Sequence, residues 1–150
     1  MKIFLSTLCA LTLAISAVAQ NQLPSSLQHL RGLANDEDKL VNAARLYHRQ
    51  QVELNEWDYE TIRNYKEDDR AKMMKMYDGR INTRTASVKT MWEYVLSVYP
   101  KSALAMNYMG EYWYDLGGNQ HAGVKHWKEA LMLDGELALA HNNMGLHYTH

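Results

Sequence analysis

Ala103-Leu104-Ala105-Met106-Asn107-Tyr108-Met109-Gly110 is the stretch that decides the fold, because a shift of 35 residues lays it over Ala138-Leu139-Ala140-His141-Asn142-Asn143-Met144-Gly145. Six of the eight pairs are identical, where background composition gives roughly one or fewer. Working outward, Trp113 meets Tyr148, Trp92 meets Trp127, Leu96 meets Leu131, Val98 meets Leu133, and the helix breaker Pro100 meets Gly135. Trp57 keeps the 35-residue spacing to Trp92, with only Tyr59 and Tyr94 in support. A fixed period of this length marks a chain built from stacked supersecondary units. The repetition is clear from about residue 88, degenerate from about residue 68, and faint before that.

Each unit reads as two helices. Ser102 is a candidate N-cap, its hydroxyl able to accept from an orphan N–H of the first turn. Met106, Met109 and Trp113 recur at three- and four-residue steps, the spacing of one helical face. Leu116-Gly117-Gly118-Asn119 supplies a turn, since glycine enters the left-handed region without steric cost. A second helix over about 120–134 aligns Val124, Trp127, Ala130 and Leu131, and Gly135 ends it. Pro100 ends the corresponding helix one unit earlier by disfavouring the helical conformation at Tyr99. One such hairpin cannot bury its apolar face alone, and stacking on neighbours does so.

These residues resemble the tetratricopeptide repeat. Its Leu-Gly-like pair is Met109-Gly110 and again Met144-Gly145, the aromatic three residues later is Trp113 and Tyr148, and the large aromatic of the second helix is Trp92 and Trp127. Ala130-Leu131 is the small-Leu pair and Pro100 the closing proline. The period is one residue longer than in that family, Gly135 replaces a proline, and Gly123 stands where alanine is usual. The longer period and the run from Trp127 to Glu136 are also similar to the Sel1-like repeat. The resemblance covers about residues 88–150. It implies an all-α fold, a right-handed solenoid of stacked helical hairpins, with residues 68–102 as a degenerate unit, 103–137 as a clear one and 138–150 as the first helix of a further or capping unit. It also implies protein binding, in which the first helix of each unit lines a concave groove for a peptide or protein partner. Carried over, that lining is Leu104, Asn107, Tyr108 and Glu111, then Leu139, Asn142, Asn143 and Leu146. Asn107 and Asn142 stand at equivalent places, where their amides either meet a peptide backbone or simply solvate the helix. No Lys or Arg belongs to this set, so a clamp for a terminal carboxylate is not expected. The C-terminal edge could also pair two copies of the chain.

Residues 1–19 read differently. Lys2 precedes an apolar run from Ile3, with only Ser and Thr as polar members, and Ala17-Val18-Ala19 offers a small-residue cleavage site. This is the pattern of a secretory signal cleaved after Ala19, which implies a secreted or periplasmic protein; the alternative, a permanent anchor, has a run short for a membrane span. The remaining 131 residues carry 15 basic and 17 acidic side chains and no cysteine, because Cys9 lies in the signal. Stability then rests on helix packing without disulfides. The charge balance, with no basic stripe, argues against nucleic acid as a partner.

Between the signal and the clear repeats, residues 20–67 read as a helical segment. Pro24-Ser25-Ser26 opens a short helix with Leu27, Leu30 and Leu33. Asn35 is a candidate N-cap for a helix carrying Leu40, Val41, Ala44 and Tyr47. Another helix runs over about 56–77, its charges Lys66 to Arg70 forming a solvated face or a junction, and 79–85 reads as a loop. Chemistry is sparse. His147 and His150 share a face with His141 behind them, but no cysteine or spaced carboxylate completes a zinc set. Met73, Met74 and Met76 suit Cu(I) in principle and fit better as core filler beside Tyr77. No nucleophile with a base, phosphate loop or paired-carboxylate motif stands out, so no enzyme activity and no cofactor is expected. The other reading, a small exported helical protein holding a metal or cofactor through His and Met, stays open at this point.

Overall fold

The computed structural model describes residues 23–149, and within them every regular element is helical. The expected signal segment at residues 1–19, with Cys9, and also His150 lie outside the described residues. A 3-10 helix, Ser25–Leu33, is followed by α1 (Glu37–Arg63), α2 (Glu67–Val98), α3 (Ala103–Glu111), a π-helical turn (Tyr112–Leu116), α4 (Gln120–Leu133) and α5 (Ala138–Thr149). Among the described residues no helix is long and apolar enough to cross a membrane.

The caps show why the helices start where they do. Asp36, with Asn35 left outside, accepts from the backbone N–H of Lys39. Its carboxylate adds a favourable charge at the positive end of the helix dipole, which the neighbouring amide of Asn35 lacks. Ser102 caps α3 by accepting from Ala105, and Asn119 caps α4 by accepting from Ala122. Gly118 is the described residue with positive φ, at 64°, in the turn before α4.

The first two helices depart from expectation. α1 continues to Arg63, the break falls at residues 64–66, and α2 then runs 32 residues without interruption through the expected loop at 79–85. One reason lies in side chains. Ile81 is buried, and Arg84 reaches across to α1, so this segment has tertiary partners that hold it helical. The buried residues Val41, Ala44, His48, Gln51, Asn55, Asp58 and Ile62 of α1 alternate three- and four-residue steps, as do Ile81, Arg84, Val88, Met91 and Val95 of α2. That is the seam of a coiled-coil-like pair.

One core runs from the 3-10 helix to α3. Leu27, Leu30, Leu40, Ala44, Val88, Met91, Trp92, Val95, Ala105 and Met109 belong to it. Trp92 is fully buried, stacked on Tyr108 at 5.2 Å and donating its indole N–H to His48 Nδ1 at 3.2 Å. Trp127 is 3% exposed and lies over Gly110, where a Cβ would meet its ring at 2.5 Å. A Cβ on Gly123 would meet the Gly110 carbonyl oxygen at 2.9 Å, which accounts for glycine there in place of alanine. Trp57 is not a third member of this series. It is 61% exposed on α1, the first helix of its hairpin, whereas Trp92 and Trp127 occupy second helices.

The methionines expected as filler also correct the reading. Met76 is 62% exposed and Met74 is exposed as well, because the far end of the α1–α2 hairpin runs beyond the elements that cover its base. Leu54, Trp57, Tyr59 and Tyr65 are exposed at the same end.

Candidate functional site

Helices α1, α3 and α5 are neighbours: α3 touches α1 on one side and α5 on the other, while α2 and α4 pack against them as second helices. Three adjoining cavities meet at the π-helical turn, one between α1 and α5, one against α5 and one against α1. One of about 360 Å³ is lined by Arg45, His48, Arg49, Val52, Tyr108, Glu111, Asp115 and Leu139. A second, of about 420 Å³, is lined by Glu111, Tyr114, Asp115, Trp127, Asn143, Leu146 and His147. The third, of about 520 Å³, continues along α1 past Val52, Asn55, Glu56 and Tyr59 to Leu116 and Gln120. Asp115 borders all three and Glu111 borders two, so the cavities form one groove.

The π-helical turn is what places Asp115 there. The N–H of Gly117 donates to the Tyr112 carbonyl at 2.7 Å, a five-residue closure. One extra residue per turn is a feature that recurs at functional sites because it re-aims side chains.

The floor carries a polar cluster. Asn107 donates to Glu111 Oε1 at 2.9 Å, and Asn143 Nδ2 donates to Asn107 Oδ1 at 3.1 Å and to Glu111 Oε1 at 3.0 Å. Asn107 is fully buried. Burial pushes the Glu111 carboxyl above its ordinary range, with both asparagines opposing the rise and the Asp115 charge adding to it. Burial also raises Asp115. The Tyr108 hydroxyl is raised by burial and by Glu111, while the Arg45 guanidinium beside it pulls the other way. His48 is held down to about 4 by burial alone, so the ring is neutral near pH 7.

The residues expected to line the groove divide. Tyr108, Glu111, Leu139, Asn143 and Leu146 do line it. Leu104 is half-buried against the core instead. Asn107 lies beneath the floor with its amide consumed by Glu111 and Asn143, and Asn142 is exposed outside the cavities. The partner of Asn107 is therefore Asn143 of the next unit, not a peptide backbone. The α1 wall, from Arg45 to Tyr59, was not foreseen. Its sequence signal was the alternating three- and four-residue step with polar residues His48, Gln51, Asn55 and Asp58 at buried places. Asp58 is itself fully buried, ion-paired with Arg84 and 3.5 Å from Arg80.

The histidines do not converge. His147 faces Tyr114 at 3.4 Å, and His141 Nε2 lies 2.8 Å from the Gly135 carbonyl. Among the described residues no group of three His, Cys, Asp or Glu is placed to hold a metal.

Among the described residues the geometry defines an all-helical arrangement with a groove to which α1 and α5 both contribute. Comparison with protein-family models, curated proteins and solved structures finds no match for the chain.

Proposed function

We propose that the chain is a tetratricopeptide-type interaction module, exported by its N-terminal segment to the periplasm or the cell exterior, that holds a peptide or protein partner in the groove between α1 and α5. The observation that carries this reading is the adjacency of α1, α3 and α5. α3 contacts both α1 and α5, each of these helices packs on α2 or α4, and three cavities adjoin at the π-helical turn. Such an order is what a solenoid of helical hairpins generates, since each hairpin buries its apolar side against its neighbours. The groove mixes apolar side chains (Val52, Leu139, Leu146) with Tyr108, Tyr114 and fixed polar groups, the composition of a recognition surface.

The test uses immobilised protein and randomised heptapeptides, acetylated and amidated. The wild-type chain retains a subset of them. Leu139→Glu and Leu146→Glu, both at exposed groove positions, lower retention at least tenfold. Met132→Glu, at an 86% exposed position on α4 that lines none of these cavities, leaves it unchanged. Retention that is absent in the wild type, or insensitive to both groove changes, overturns the reading.

A further inference from the structure

The repeat lays α5 over α3, yet α3 is packed on two sides and α5 on one. Ala105, Tyr108, Met109 and Tyr112 of α3 are buried. Their equivalents on α5 are covered in part: Ala140 is buried, and Asn143, Met144 and His147 are half-buried. The other side of the two helices differs. On α3 it meets α4, with Met106 Sδ 3.2 Å from His126 Nδ1 and the Tyr114 ring 4.9 Å from that of Trp127. The equivalent residues of α5, His141, Gly145 and Thr149, are all exposed, and so is Asn142, whose counterpart Asn107 is fully buried. Tyr148 stands beside them at 69% exposure. A Cβ on Gly110 would strike the Trp127 ring, whereas one on Gly145 meets nothing within 4 Å.

The α3–α4 contact shows what a face of this kind takes. Each helix contributes a glycine and, four residues later, an aromatic side chain laid against the other helix's glycine: Trp127 on Gly110 and Tyr114 on Gly123. The backbones approach closely, a Cβ on either glycine lying within 3.0 Å of the other's carbonyl oxygen. The pattern reads the same from either helix, so it is self-complementary, as a two-fold interface requires. α5 holds both parts, Gly145 and, three residues later on the same side, Tyr148. Charge points the same way. Among the described α-helices, α5 (Ala138–Thr149) is the one without an Asp, Glu, Lys or Arg. Two copies therefore meet without like-charge repulsion, and loss of charge around an exposed aromatic ring is the composition of an interface core.

We propose that α5 is a self-association surface, through which two copies of the chain pair antiparallel with Gly145 against Gly145 of the second copy and each Tyr148 laid over the opposite glycine. The pairing repeats between chains the contact that α3 and α4 make within one. It uses the side of α5 turned away from Leu139 and Asn143, which line the cavities, so it is independent of what the groove holds. One helix of 12 residues per copy spans about 18 Å. An interface of that size is small, and the association belongs at the weak end of the range.

Sedimentation velocity of the purified chain from about 1 to 300 μM covers the span in which small interfaces associate. The wild type moves from the mass of one copy to that of two and no further. Gly145→Leu stays monomeric throughout with its helical circular dichroism unchanged, because the new side chain enters open space in a single copy and blocks the close approach of two. Tyr148→Glu sets a charge in each half of the contact and weakens association at least tenfold. Leu139→Glu, on the groove side, leaves association as in the wild type. In dilute solution, where the copies are apart, a substitution at Gly145 reads the helix alone. A wild type that remains monomeric across the span, or a Gly145→Leu chain that pairs like the wild type, overturns the proposal. Growth beyond two copies overturns its two-fold geometry, and loss of pairing in Leu139→Glu alone moves the contact to the groove and overturns it too.

Discussion

The two hairpins solve the same packing problem with opposite chemistry. In α1–α2 the helices meet through a long seam that buries polar groups: the Trp92 indole on His48, Arg84 on Asn55 and Asp58. In α3–α4 they meet through glycine, with Gly110 and Gly123 backbone to backbone and Trp127 laid on the gap. Both hairpins carry a buried tryptophan at the same repeat position. Trp92 has a partner for its N–H, whereas Trp127 Nε1 is buried with none among the described residues. The difference teaches that the repeat prescribes where a large ring goes, and leaves to each interface how the ring is accommodated.

The sharpest way to break the comparison is at the polar seam. Arg84→Met leaves Asp58 fully buried with only Arg80 nearby, and unfolding free energy falls by about 4 kcal/mol. Asp58→Leu combined with Arg84→Met recovers most of that loss, because an apolar pair needs no desolvation. Denaturant titration of the two variants measures both numbers, and equal stability of single and double variants contradicts a polar seam.

Next in size is the glycine interface. Gly110→Leu forces side-chain atoms into the Trp127 ring and costs about 3 kcal/mol. The same change at a seam of ordinary side chains would be absorbed, so a thermal midpoint within a few degrees of wild type would refute the close approach.

The third prediction is a pH dependence. His48 has a folded value of about 4, below the ordinary 6.5. The unfolded chain therefore binds the proton more readily, and stability contributed by the neutral ring is complete above about pH 6.5 and falls as pH drops towards 4. Between pH 7.5 and pH 5 the loss amounts to about 2 kcal/mol. Glu111 and Asp115, raised by burial, work in the opposite direction, favouring the folded state as they protonate. Comparing wild type with His48→Gln isolates the histidine: the variant shows a shallower decline on acidification, and parallel curves would show that His48 does not set the slope.

The smallest effect concerns the second copy of the Ala103–Gly110 stretch. Gly145 is the repeat equivalent of Gly110, yet a Cβ there meets nothing within 4 Å. Gly145→Ala is expected to stabilise α5 by about 0.5–1 kcal/mol through helix propensity alone. A destabilisation of similar size would mean that the exposed glycine serves a contact on this side of α5.

Much of the fold was legible because its signals are local. The Ser102 cap, the Gly117-Gly118 turn, the buried faces of α4 and the pairing of Trp92 with Trp127 all follow from spacing and turn chemistry within a few residues. The continuity of α2 was not legible. Residues 79–85 look polar and breakable in isolation, and they stay helical with Arg84 bonded across to Asn55 and Asp58, 29 and 26 positions away. The groove was half legible. Tyr108, Glu111, Asn143 and Leu146 follow from the repeat, while Arg45, His48 and Asp115 required α1 to be placed opposite α5 and a π-helical turn to re-aim a side chain.

The sequence by itself determined an all-helical chain, the 35-residue period, the hairpin boundaries from Ser102 onward and the two tryptophans that anchor successive hairpins, because periodicity and caps act over one or two helical turns. Only the tertiary structure decided that Asn107 is a buried strut for Glu111 and Asn143, that Trp57 stands in solvent, and that Asp115 lies where three cavities join. Those outcomes depend on which helix lies across from which, and burial and charge balance are properties of that arrangement, not of any segment read alone.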